Sequence, residues 1–165
     1  MALKIRLLAL SMLVFAVTAA PASAVTPKVG TKWKGTLANN PQYPKQKAKV
    51  SFKIVKSGKR KYVKGSAKVT TTCQTEAGQT PEGDTIYQFT PGPTYTYRFK
   101  VRLRKGGSFD TGDKYAKDGK TFEALNGTFS SKSKGFLNLR YARGVGLNCG
   151  LPGGGVSGTV KRKKG

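Results

Sequence analysis

The residues able to do chemistry in this chain are of three kinds: seven carboxylates, two cysteines and 31 lysines and arginines, with no histidine among 165 residues. Without histidine, the serine–histidine–acid triad and the usual catalytic zinc and copper sites are excluded. The carboxylates are Glu76, Glu82, Asp84, Asp110, Asp113, Asp118 and Glu123, all within one stretch of sequence. Asp110, Asp113, Asp118 and Glu123 are close enough for two readings, the acid pair of a glycosidase or a set of oxygen ligands for calcium. Neither pattern is met. The spacing is not that of an EF-hand, Lys114 and Lys117 put cations in the same stretch, and Asp118-Gly119 reads as turn chemistry. The expectation is solvated turn carboxylates, with no metal, no cofactor and no enzyme. A carboxylate-based glycosidase or a calcium module stands as the alternative.

The cations are the stronger signal. The formal net charge is +24 at pH 7, and residues 25–75 and 124–165 hold no acid at all. In Tyr95–Lys105 the order is alternating: Tyr97, Phe99, Val101 and Leu103 take every second place, and Arg98, Lys100, Arg102 and Arg104 the places between. An extended backbone sends these two sets to opposite faces, whereas a helix would mix them. The same parity sets Lys49 and Lys53 against Val50, Phe52 and Ile54, and Lys64 and Lys68 against Val63, Ala67 and Val69. Lys32, Lys34 and Arg140 also take outward places.

Arg98, Lys100, Arg102, Arg104, Lys49, Lys53, Lys64 and Lys68 are therefore the candidate ligand contacts. Rows of like charge oppose compaction, and a polyanion would turn that repulsion into attraction. For an exported protein the fitting ligands are envelope polymers, such as teichoic acid, acidic polysaccharide or lipopolysaccharide, or a membrane surface; nucleic acid fits by charge alone. The competing reading is a structural or scaffold protein with no specific ligand, whose lysines keep it soluble and block edge pairing. Tyr43, Tyr62 and Tyr95 are the candidates for exposed stacking rings, or else strand-end packing.

Export is read from residues 1–24. Lys4 and Arg6 form a basic start, Leu7–Ala20 an apolar run and Ala22-Ser23-Ala24 a small-residue cleavage site, the pattern of a secretory signal peptide. Residues 25–160 are then one domain, 161–165 a frayed basic tail, and the destination is extracellular or the cell envelope. No later segment is apolar enough to span a bilayer. An oxidising compartment favours a Cys73–Cys149 disulfide. Asn126-Gly127-Thr128 matches the glycosylation sequon inside a strand and reads as chance.

The elements that must position these groups are short strands. Thr31–Ala38, Lys47–Lys56, Tyr62–Cys73, Thr85–Thr90, Tyr95–Lys105, Phe122–Ser131, Gly135–Ala142 and a last edge strand around Val156–Val160 alternate or are bounded by turn residues. Gln74–Asp84 reads as a mobile loop, Pro91-Gly92-Pro93 as a break, and Phe109–Lys120 as an acidic connection. Eight or nine strands without helical periodicity predict an all-β, antiparallel sandwich or barrel with one disulfide. Gly-Thr-apolar triplets at Gly35, Gly127 and Gly158 read as inward glycines that make room for large neighbours such as Trp33, rather than as a half-domain repeat.

An early Gly-x-x-Trp-x-Gly (Gly30 to Gly35), a late Gly-Thr-Phe (Gly127 to Phe129), an Arg-x-x-Gly turn (Arg143 or Arg140 to Gly144 or Gly146) and Cys149 resemble uncharacterised secreted β-sandwich proteins of actinomycete-type bacteria. The resemblance implies a fold and an export route and no activity. The positive charge departs from that group.

Overall fold

Two-residue periodicity governs the architecture. The computed structural model describes residues 24–38, 40, 46–115, 117, 121–143, 148–151 and 155–164. Residues 1–23 of the expected leader, Tyr43 and Asp118 lie outside them. The fold is all-β, and the described residues form ten strands: β1 (Lys32–Leu37), β2 (Lys47–Ser57), β3 (Arg60–Gln79), β4 (Thr85–Arg102), β5 (Ser108–Asp110), β6 (Lys114–Tyr115), β7 (Thr121–Phe129), β8 (Lys134–Arg143), β9 (Cys149–Gly150) and β10 (Val156–Arg162).

Of the two architectures expected, the closed barrel is found. Six strands close a ring in the order β10-β1-β2-β3-β9-β8, sealed by β10 against β8. The two-residue strand β9 completes the closure. β2 leaves β3 at Lys47 opposite Thr70, and β9 takes over with Gly150 opposite Thr72 and Cys149 opposite Cys73. On β8, β10 pairs as far as Leu139, and β9 then meets Ala142 and Arg143. The other edge of β3 carries β4, and the other edge of β8 carries β7. β4 and β7 approach each other through β5: the Arg104 amide donates to the Ser108 carbonyl at 2.8 Å and the Phe129 amide to the Gly107 carbonyl at 3.0 Å.

The inward parity builds a single apolar cluster from all the longer strands. Trp33, Phe52 and Phe129 sit at its centre, with Trp33 and Phe52 stacked at 6.2 Å between centroids and Trp33 4.7 Å from Phe129. Each such ring withdrawn from water contributes on the order of 2–3 kcal/mol. Inward glycines allow the sheet to bend. A Cβ on Gly35 would lie 2.7 Å from the Thr159 carbonyl oxygen, and one on Gly65 would strike the Ser51 carbonyl and come 2.6 Å from the Phe52 Cα. At these two positions glycine admits the neighbouring strand's backbone, not the bulk of Trp33. At Gly127 large side chains do fill the space, since a Cβ there would strike Leu137 and come 2.9 Å from the Phe109 ring, whereas at Gly158 it would again meet backbone, the Thr36 carbonyl oxygen at 2.9 Å.

Three sequence expectations are corrected. Gln74–Asp84 is not a loop: β3 and β4 pair out to Gln79 opposite Thr85, which leaves a short turn at 80–84. Thr85–Thr90 and Tyr95–Arg102 are one strand, the Pro91-Gly92-Pro93 break being absorbed by a register shift between Thr70 and Thr72. Proline is tolerated there because β4 pairs with β3 alone and needs no amide on its other side. Finally, the basic tail does not begin at 161. β10 runs through Arg162, and the Lys163 amide donates to the Lys32 carbonyl at 2.8 Å. Two further strands, β5 and β6, lie in the acidic connection.

Candidate functional site

Strand register decides what the outward cations form. Partners directly opposite on an antiparallel pair share a face, with Cβ atoms about 5 Å apart. Lys32 on β1 stands opposite Lys53 on β2, Lys53 opposite Lys64 on β3, and Lys64 opposite Lys100 on β4. Four lysines thus cross four consecutive strands in one row about 14 Å long. One step along, about 7 Å away, a second row reads Lys134, Lys161, Lys34, Ser51, Ser66 and Arg98 from β8 through β10 to β4. A third holds Thr36, Lys49, Lys68 and Thr96.

Across these rows lies a concavity of about 730 Å³, whose lining includes Ser51, Gly65 and parts of Trp33, Phe52 and Phe99 between the cations. Lys32, Lys34, Lys53, Lys64, Arg98, Lys100 and Lys163 surround it, and Ser51 lies in its floor. No carboxylate lines it. The only ion pair among the described residues joins Arg140 to Asp113, away from this face. Lys100 extends over the Tyr62 ring, 5.0 Å from its centroid.

The structure therefore gathers Lys53, Lys64, Arg98 and Lys100 at one concave surface, with Lys49 and Lys68 in the adjoining row. Arg102 flanks it, opposite Tyr62. Arg104 does not join: it lies past the end of β4, beside Phe109 and Asp110 in a different depression. Arg140 is taken up by Asp113 and by the Phe122 ring, 5.4 Å away. β1 adds Lys32 and Lys34 to this surface, β10 adds Lys161, and Lys163 follows just after β10. The alternation Lys32-Trp33-Lys34 carries the signal for β1, while nothing local shows that the basic terminus pairs as a strand beside it. Tyr95 packs on Tyr141 at 5.9 Å beneath Arg143, as strand-end packing.

The carboxylates are dispersed. Asp110 accepts from the Gly112 amide at 2.8 Å, a turn-capping role, and Asp113 is held by Arg140. Among the described residues no three metal-ligating side chains come together. Glu123 differs from the expectation of a solvated turn residue: it lies within β7 on the inward parity, opposite Tyr141. Burial pushes its carboxyl above the usual range, against the pull of Lys114. Burial likewise raises the nearby Tyr97 phenol to about 12, helped by the Glu123 charge and opposed by a hydrogen bond with Thr111.

The fold and face define a closed antiparallel β-barrel with a cation-covered outer wall. No protein-family model, no curated protein and no solved structure matches the chain.

Proposed function

We propose that this protein is a secreted, non-enzymatic module that binds an anionic envelope or extracellular polymer through the outward cations of β1–β4. The observation that carries the reading is the row Lys32, Lys53, Lys64 and Lys100, like charges directly opposite one another on four strands with no acid beside them. Like charges in that position oppose pairing. A polymer bearing phosphate, carboxylate or sulfate at intervals of several ångströms would relieve the repulsion at each strand it crossed and release its own counterions. Export by the leader, as in the secreted proteins the chain resembles, would bring it to teichoic acid or acidic polysaccharide rather than to nucleic acid.

The test is a salt series of binding to poly(glycerol phosphate), heparin and duplex DNA, comparing wild type with the triple variant Lys53→Ala, Lys64→Ala, Lys100→Ala. The slope of log K against log salt is expected to fall in magnitude by about 2–3 in the variant. An unchanged slope would remove this face from the site. Equal, weak binding of all three polymers, lost at modest salt, would favour a scaffold without a specific ligand.

A further inference from the structure

The β3–β4 hairpin continues past the barrel as a two-stranded arm whose chemistry is unlike the rest of the chain. From Val69 to Tyr97 there is no lysine or arginine, while Glu76, Glu82 and Asp84 are present. Ile86, Tyr87 and Phe89 on this arm are 45%, 49% and 43% exposed, among the largest apolar exposures of the described residues. A polyanion drawn to the barrel wall would be repelled here. The rest of the arm is mainly threonine, glutamine and small residues.

At the base of the arm is a cleft of about 530 Å³ lined by Gln74, Thr75, Glu76, Tyr87 and Asn148. Its walls are tied together. The Gln74 amide donates to the Asn148 carbonyl at 2.7 Å, and the next residues, Cys73 and Cys149, form the disulfide. Register places Glu76 opposite Tyr87 and Gln74 opposite Phe89, so each hydrogen-bonding side chain shares a face with an aromatic ring. We propose that this cleft binds an uncharged sugar chain, with the pyranose C–H face on Tyr87 and its hydroxyls held by Gln74, Glu76 and Asn148.

The chemistry matches in kind. Two side-chain amides and a carboxylate supply both donors and acceptors for adjacent sugar hydroxyls. The half-exposed phenol ring offers an apolar plane with a polar tip. Among the described residues no cation lines the cleft to meet a phosphate. The disulfide fixes Asn148 relative to Gln74 before any ligand arrives, which limits the ordering cost of binding.

The experiment is amide chemical-shift titration of the mature, oxidised protein with cello-, chito-, xylo- and manno-hexaose. At least one is expected to shift the amides of Gln74, Glu76, Tyr87 and Asn148, with affinity unchanged in half-molar sodium chloride. Tyr87→Ala should weaken it by about tenfold or more, the loss of one stacking contact. Gln74→Ala, which spares the ring, should weaken it by a smaller factor. The Lys53, Lys64, Lys100 triple alanine variant should bind normally, which separates this site from the cationic wall. The proposal is overturned if no hexaose shifts these amides, if binding survives the combined Tyr87→Ala and Gln74→Ala change, or if salt abolishes it.

Discussion

Reversing one charge at the centre of the lysine row should strengthen the fold and weaken polymer binding together. Lys53 has Lys32 on one side and Lys64 on the other. With flexible stems the ammonium groups can spread to about 7 Å, where each pair repels by about 0.6 kcal/mol in water. A screening length of about 8 Å at physiological salt leaves about 0.25 kcal/mol per pair. Lys53→Glu converts two repulsions into two attractions, a gain of about 1 kcal/mol, rising to about 1.7 kcal/mol near 20 mM salt and falling to about 0.5 kcal/mol near 0.5 M. Side-chain ordering at an exposed site takes back part of this. Lysine and glutamate are similarly disfavoured in strands, so backbone preference changes little. The assay is urea denaturation of the variant and wild type at those salt concentrations, since guanidinium would itself screen. Poly(glycerol phosphate) binding at low salt is expected to fall about tenfold or more, from one lost phosphate contact and one new repulsion. A variant no more stable than wild type, or one whose gain ignores salt, would mean the lysine tips do not feel one another.

Two further outcomes concern stability. Replacing both Cys73 and Cys149 by alanine should cost about 4 kcal/mol in urea denaturation, because the bridge spans a sequence separation of 76 and its loss restores the loop entropy of the unfolded chain; a loss under about 1 kcal/mol would show that the strand pairing of β9 holds the ring closed unaided. The second outcome follows from Glu123, whose carboxyl is raised by burial above its ordinary value of 4.5. Its contribution to stability is fully present below that value and is lost as pH rises through the higher folded one. Glu123→Gln should therefore gain on wild type between about pH 4 and about pH 7; an equal difference at both ends would refute the burial argument.

What could be read from the sequence was whatever depends on parity. Val50, Phe52 and Ile54 are buried and Lys49 and Lys53 exposed, and Tyr97, Phe99 and Val101 alternate with Arg98, Lys100 and Arg102, as the two-residue period requires. What depends on partners could not be read. Nothing local shows that Lys32, Lys53, Lys64 and Lys100 share one row, because a row is a property of register between strands far apart in sequence. Pro91-Gly92-Pro93 looked like a strand end because the missing amide is a fault only if a neighbour needs it. Gln74–Gln79 looked like loop because its side chains are polar on both faces, which is what a ribbon projecting from the barrel presents. The closure itself rests on β9, only two residues long, too short for any periodic signal.

Closure also bears on why the wall is cationic. Lysine on exposed strand edges is a common guard against edge-to-edge aggregation, but β1, β2 and β3 are each paired on both sides. Lys32, Lys53 and Lys64 therefore guard no edge. Solubility would be served as well by acids placed opposite them, an arrangement that would also favour pairing. The chain has acids, and three of them stand on the arm, where the cations are absent. Segregating the two signs forgoes cross-strand attraction on the barrel and keeps the arm free of positive charge. That separation argues for two surfaces with different ligands, one met by charge and the other by hydrogen bonds and a ring face.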